Sequence, residues 1–532
     1  MTIKQMFMRL DGKRQESLTT ARRCAALTLP HVLPPDGHTA DTPLPDTWQS
    51  LGGDLVNNWT GTVVSSVFPS VIPFAALEAS RAEMAKMTQE ERDVTERGLF
   101  VLQSILHAML DEAALRPSDN RRPQGFRSQM QAAIRQLGIT GDTAFRLDDD
   151  VRVTVFRRDN YVAMRDSYGD LLCGIVRENI DIAEAPQAAI DEWKKANDGK
   201  NPQDVDYDRR MVDIYTKVEW VQSTKKWSIR QEVLGVEVAE KEEDVCSYFF
   251  VPYALIPGES YGRGPVEETI ADLNSYNGLS KCQLEHAGLA VNVKVFVADD
   301  SLIRDDDLMK PAGSIVRGAR VSQGVLQDAA AWGPVSLASA EVMNRVWQQL
   351  GESLARRFLY LPGQVRDSER TTAAEVQNVT LAQNEGARGL VYTPVADMLQ
   401  IPIMQRLMVI AEKKNYVNKV MPSESKQKIR INLLTGAAAV ARQQKVQQLV
   451  QYATIARDLA ANPLPDEINL PVLLQVISRH LNITDPIVRT PEQVAQVQQA
   501  RAQQEAQAEM AKQLAAGAGE LLTNSAVTNT PQ

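Results

Sequence analysis

The sequence predicts a mainly helical chain that carries two α/β insertions. Three observations lead there. Apolar residues recur at helical spacing over 88–115 and 336–361, and Pro265 with Glu267 and Glu268 opens another long helical stretch, 265–290. Between 143 and 256 the pattern changes to alternating, β-branched runs. A shorter β-like stretch, 291–331, separates the second and third long helical stretches. The chain has 532 residues, too many for one core and suited to about three to five structural units.

The elements follow in order. Ser17–Leu29 is expected to be helical and to stop at Pro30; Pro30, Pro34, Pro35, Pro43 and Pro45 then forbid regular hydrogen bonding. Leu55–Leu77 lacks charge, but Asn57, Asn58 and Pro73 interrupt it. A buried helix and a Pro-bounded loop describe it better than a membrane span. Thr88–Leu115 and Gln129–Leu137 are helices. Val151–Phe156 is a strand, and Tyr161–Val176 is a hairpin turning at Asp166–Gly169. Ala185–Ala196 returns to helix; Val212–Val221, Trp227–Val238 and Val245–Ile256 are strands.

Pro265, followed by Glu267 and Glu268, opens a continuous helix of about 37 Å. Val291–Val297 is a strand, with short β pieces near Gly313, Gly318 and Gly324. Ser336–Leu361 is a second long helix, with Val342, Val346, Leu350, Leu354 and Phe358 stepping by four along one face. After the polar break PGQVRDSERT, Thr372 and Glu375 form a capping box opening a third helix, which ends near Tyr392, with further breaks at Pro394 and Pro402. From Thr435 the chain is helical; beyond Pro491 its Gln/Ala-rich composition suits a solvated helix or a disordered tail.

Composition excludes several function classes. A net charge of −9 is wrong for a general nucleic-acid binder. The cysteines, Cys24, Cys173, Cys246 and Cys282, are scattered without a CxxC, against a zinc site or a disulfide scaffold and for a reducing compartment. The start MTIKQMFMRLDGKRQE has no apolar core of signal-peptide length. Neither GxxxxGK[ST] nor HExxH occurs, and no cofactor is called for. Asp148–Asp150 and Asp305–Asp307 are candidates for a hard cation, but they read better as solvated loop or strand ends, since no glycine-kinked ligand loop surrounds them. Gly258-Glu-Ser260-Tyr-Gly262 matches the GxSxG elbow of serine hydrolases. That elbow starts its helix at the serine, whereas here the helix starts at Pro265, and only His286 and His480 follow as bases.

Four ordered segments carry a resemblance: ARRCAALTLPHVLPP with TPLPDTWQSLG, GESYGRGPVEETIADLNSYNGLSK (Gly258–Lys281), ERTTAAEVQ (Glu369–Gln377) and NLLTGAAAVARQQKVQQLVQ (Asn432–Gln451). They are similar to the corresponding segments of the portal proteins, or head-to-tail connectors, of short-tailed (podovirus-type) bacteriophages. The resemblance covers essentially the whole chain. It implies a non-enzymatic portal fold of wing, stem, clip and crown, assembling as a ring, usually of twelve subunits, around a central channel. That ring would sit at one capsid vertex of the virion, after assembly in the host cytoplasm. Double-stranded DNA would pass through it during packaging and ejection without sequence-specific recognition and without a membrane partner. Terminase and then tail adaptor and tail tube proteins would dock on it, with major capsid, scaffolding and internal core proteins around it. The competing readings are a serine hydrolase built on Ser260 and another phage structural protein, such as a tail adaptor.

The parts implied are a wing at 1–264, a stem helix at 265–290, a clip at 291–335 and a second stem helix at 336–361. A tunnel loop follows at 362–371, then a long wing helix and return at 372–434, a crown at 435–490 and a tail at 491–532. In the tunnel loop, Arg366, Asp367, Glu369 and Arg370 nearly cancel in charge and suit contact with DNA without a tight grip. In the clip, Asp299, Asp300, Asp305, Asp306 and Asp307 suit a basic partner surface. Gly262 and Gly264 suit a sharp turn from wing strand to stem helix because glycine tolerates unusual backbone angles, and Arg263 is placed to anchor that turn to carboxylates. An acidic wall repels phosphates, so DNA slides along it without being held.

Overall fold

The fold comes from a computed structural model that describes residues 1–39, 41–69, 73–79, 88–115, 125–197, 199–206, 210–291, 294–297, 306, 321–322, 325–326, 329–332, 337–360, 395–417, 429–433, 448–452 and 454. The chain divides into two compact units, Met1–Ala437 and Ala438–Gln532. In the second unit residues 448–452 and 454 are helical, with Val450 and Tyr452 exposed.

The first unit opens with α1 (Ile3–Lys13) and α2 (Gln15–Leu27), which meet at Arg14. A capping box starts α1: the Thr2 hydroxyl accepts from the Gln5 N–H while the Gln5 side chain accepts from the Thr2 N–H. The uncharged stretch becomes α3 (Leu51–Val67), which buries Leu55, Val56, Trp59, Val63 and Val67. Among the described residues no helix is long and apolar enough to cross a membrane. After β1 (Ala75–Ala79), α4 (Gln89–Leu115) and α5 (Phe126–Thr140) complete a helical core with α3. Phe68 is its hub, edge-on to Phe74 at 5.3 Å and to Phe126 at 5.2 Å.

The α/β block is two antiparallel sheets. Strands β2 (Asp142–Leu147), β3 (Val153–Phe156), β4 (Tyr161–Arg165) and β5 (Leu171–Asp181) lead into α6 (Gln187–Ala196). Then come β6 (Met211–Val221), β7 (Lys226–Val233), β8 (Val236–Glu243) and β9 (Tyr248–Pro252). One sheet has the order β3-β2-β9, the other is the meander β4-β5-β6-β7-β8. Tyr161, Val176, Val218 and Ile229 of the meander join Phe156, Tyr248 and Phe250 of the smaller sheet in one apolar cluster. The meander's other face is covered by Phe7 of α1, 5.5 Å from Tyr215, while Trp193 of α6 packs further along the first face, against Val212, Ile214 and Val233.

A short hairpin, β10 (Ala254–Leu255) and β11 (Gly262–Arg263), leads into α7 (Pro265–Glu268) and α8 (Ile270–Val291). The small insert pairs β12 (Lys294–Val297) with β15 (Ala329–Trp332), and β13 (Val321–Ser322) with β14 (Val325–Leu326). Helix α9 (Leu337–Arg357) returns antiparallel to α8: Tyr276 stacks on Trp347 at 5.1 Å, Trp347 Nε1 donates to Ser280 Oγ at 2.9 Å, and Arg357 lies 3.4 Å from Asp272. Helix α10 (395–413) and β16 (Ile429–Leu433), the antiparallel partner of β1, close the unit.

Four elements differ from the sequence reading. The strand expected over Trp227–Val238 is two strands joined at Leu234 (φ 51°) and Gly235 (φ 85°), consecutive left-handed residues that make a tight hairpin turn. The helix expected to run unbroken from Pro265 breaks at Thr269, whose hydroxyl donates to the Pro265 carbonyl at 3.0 Å. Helix α10 passes through Pro402 because the turns beside it bury Leu399, Ile403, Met404, Leu407 and Ile410, which offsets the proline's cost of about 3 kcal/mol. The stripe from Val342 to Phe358 is not one face. A step of four residues turns roughly 400° at 3.6 residues per turn, so each step drifts about 40°; Leu354 and Phe358 are buried while Val342 and Val346 are exposed. The capping box at Thr372 and Glu375 lies outside the described residues.

Candidate functional site

The turn from the β-block into α7 and α8 gathers Arg14, Asp142 and Arg158, three of the six charged residues that are buried among the described ones. Asp142 opens β2 and is buried; its Oδ2 accepts from the Gly262 N–H at 3.0 Å and lies 3.8 Å from the buried Arg158 guanidinium. Burial pushes the Asp142 carboxyl up to about 6, with Arg158 and the Gly262 N–H pulling the other way. Arg158 lies over the ring of Tyr261 at 4.1 Å, and the Tyr261 hydroxyl accepts from the Ala163 N–H at 3.1 Å.

Two further arginines tie the surroundings to this centre. Arg14, at the α1–α2 elbow, donates to the carbonyls of Arg158 at 2.6 Å, Asp159 at 2.8 Å and Tyr161, and to Asp11 Oδ1 at 2.7 Å. Arg165 donates to the carbonyls of Ser260 at 3.2 Å, Gly169 at 3.0 Å and Phe250 at 2.8 Å. Each guanidinium fork thus fixes three backbone carbonyls that no strand partner reaches. A cavity of about 620 Å³ lies between the elbow and the turn, lined by Arg14, Ser17, Ser260, Tyr261, Arg263 and Glu267 among others.

The sequence-expected turn residues meet here. Arg263 donates to Glu267 at 2.9 Å and to Glu259 at 3.3 Å, bridging the residues before and after the turn. The glycines act by close approach rather than by unusual angles. Gly264 has an ordinary extended backbone (φ −90°, ψ 162°), and neither it nor Gly262 has a positive φ. A Cβ on Gly262 would sit 2.7 Å from the Gly141 carbonyl oxygen, and one on Gly264 2.6 Å from that of Gly138. Gly141 itself, the αL residue ending α5 at φ 77°, would bring a Cβ within 2.3 Å of the Gly262 oxygen.

The remaining candidates fall elsewhere. Arg366, Asp367, Glu369, Arg370, Asp299, Asp300, Asp305 and Asp307 lie outside the described residues, while Asp306 is exposed. The Asp148–Asp150 run is engaged by protein groups: Asp148 Oδ1 accepts from the Asp150 and Arg152 N–H groups, and Asp149 pairs with Arg406 at 2.7 Å and Lys413 at 2.8 Å. Among the described residues no group of three or more His, Cys, Asp or Glu is placed to hold a metal ion. Ser260 lacks a hydrolase's geometry. Its helix starts five residues later, at Pro265, and His286 lies about 30 Å further along the helical rise. Arg14, Arg158, Arg165 and Asp142 escape sequence reading because they are isolated charges on separate elements, joined only by the fold.

The family described as bacteriophage head to tail connecting protein matches residues 1–488. The chain belongs to this family. Among curated relatives, the portal protein of Enterobacteria phage T3 is 25% identical over 534 residues, covering 98% of this chain and 94% of its own. The portal protein of Escherichia phage T7 is 24% identical over 506 residues, covering 93% and 89%. A solved chain from the virion of a native gene transfer agent particle aligns at 12% identity and a TM-score of 0.37, covering 78% of this chain and 92% of that one.

Proposed function

We propose that copies of this head-to-tail connecting protein assemble into a ring, of twelve subunits, around a channel through which double-stranded DNA enters and leaves a phage head. The observation that carries the reading is the family match across residues 1–488, with relatives named portal protein aligning over nearly their full length. The architecture is compatible with it. A β-rich block leads through a tightly packed turn into two antiparallel helices, with a small β insert between them in the chain.

In this reading the block is the wing, α8 and α9 are the stem and 291–335 is the clip, which takes terminase during packaging and then the tail adaptor through its aspartates. The segment 362–371 is the loop nearest the DNA. A net charge of −9 per subunit makes the assembled wall repel phosphates, so the duplex slides with its counterions in place. The chain works by shape and charge and performs no catalysis.

Reversing the clip aspartates to lysine tests the docking role. Rings should form normally while adaptor binding is lost; unchanged adaptor binding would remove the clip assignment.

A further inference from the structure

The ring proposed above leaves open which surfaces meet, and the α8–α9 pair narrows the choice. Four large apolar side chains stand out on this pair and the segment lying on it: Trp48 at 52% exposure, Leu284 at 57%, Val342 at 61% and Val346 at 41%. Contiguous exposed apolar patches mark interaction surfaces.

Their placement follows from the helix geometry. Tyr276 and Ser280 of α8 face Trp347 of α9, so the two helices are level at those residues and run in opposite directions. Four residues up α8 correspond to four residues down α9, which puts Leu284 level with about residue 343, alongside Val342 and Val346. At about 100° per residue, Asn277 and Leu284 lie roughly 60–80° round from the α8 contact line set by Tyr276 and Ser280, both to one flank. Trp48 is on that flank: its N–H donates to Asn277 Oδ1 at 2.9 Å and Lys281 Nζ lies 5.6 Å from its ring centre. Leu51, three residues on, approaches Gly351 of α9 from the same side. Val346 and Val342 lie about 100° and 140° round α9 in the other sense, on the opposite flank.

Two different apolar patches therefore sit at one height on opposite flanks of a single helix pair. A two-fold contact pairs a surface with itself and would leave one patch in water. A head-to-tail contact repeated by rotation buries both in every copy, and it makes a ring when the rotation is a whole fraction of a turn. We propose that the occupant of each patch is a second copy of this chain: Trp48 and Leu284 of one copy pack on Val342 and Val346 of the next. This rests on the ring reading and adds its register. The four side chains are anchors; the remainder of a standard interface, about 1,600 Å² in total, comes from the rest of α8 and α9, each roughly 30 Å long at 1.5 Å per residue.

Two variants of the full chain test it, Leu284→Glu and Val342→Glu, each spoiling one patch. Both positions are exposed, so the unfolding midpoint of the monomer should not move; if either glutamate variant misfolds, Leu284→Ser or Val342→Ser replaces it. Light scattering should find wild type in rings, each variant alone at the 58.9 kDa monomer mass, and an equimolar mixture as a one-to-one pair through the single intact contact left between them. Rings of either variant matching wild type would overturn the patch pairing and leave the ring standing. Monomers that stay monomeric on mixing would overturn the head-to-tail register. A monomeric wild type would remove the ring reading itself.

Discussion

Gly141, Gly262 and Gly264 show how few atoms position the turn. Their backbones approach closely enough that a single methyl group has no room. Gly262→Ala should cost about 3 kcal/mol, the upper range of overpacking. Gly258→Ala, at φ 90° but with nothing within 4 Å, should cost only about 1 kcal/mol of left-handed strain. Equal losses in urea unfolding would show that close approach is not what glycine provides. His107 holds another close fit. A carbonyl only accepts, so Nδ1 carries the hydrogen towards the Gln103 carbonyl at 2.8 Å, leaving Nε2 to accept from the Phe74 N–H at 3.2 Å. Burial lowers the His107 pKa, with Arg127 adding to the shift, while Asp111 and the Gln103 carbonyl oppose it. The folded chain then binds fewer protons than the unfolded one below about pH 6.5, so this contribution is present above that pH and is lost as pH falls towards the folded value. Comparing urea midpoints at pH 7.5 and 5.5, His107→Gln should lose less stability than wild type over that interval. Identical losses would exclude the clasp.

At the scale of elements, α10 is fastened to the block by Arg406, which is buried and pairs with Asp149 at 2.7 Å and with buried Glu243 at 3.4 Å. Arg406→Ala should cost about 3–5 kcal/mol, because the buried Glu243 loses a charge partner and keeps the half-exposed Lys241 and the Ser247 N–H. Asp149→Ala should cost about 1 kcal/mol, since Asp149 is half in water. Unfolding midpoints that rank the two the other way would contradict the clamp. Most helices and the Asp166–Gly169 hairpin were legible in the sequence because periodicity and turn chemistry are local signals. The misreadings were tertiary. Leu234 adopts a left-handed angle that leucine rarely takes, Thr269 ends a helix through its own hydroxyl, and packing overrides Pro402. At the turn, Gly262, Arg263 and Gly264 stood out in the sequence, yet their partners Gly141 and Asp142 lie about 120 residues upstream of Gly262 and could not be paired with them.

For the whole molecule, the proposed channel combined with the acidic balance and the near-neutral sequence of 362–371 leads to one physical expectation, that DNA would be guided and not held. Arg366→Glu with Arg370→Glu should leave assembly unchanged and impair packaging or retention of DNA, since each arginine–phosphate contact is weak and salt-screened. Normal packaging and retention by that double variant would withdraw the loop from the channel. All of these roles depend on the assembly. The most direct measurement is the mass of the purified chain by size exclusion with light scattering, with negative-stain images of the same peak. The account predicts a mass near twelve times 58.9 kDa and ring-shaped particles with a central hole; a stable monomer at micromolar concentration, or particles without a hole, would contradict it.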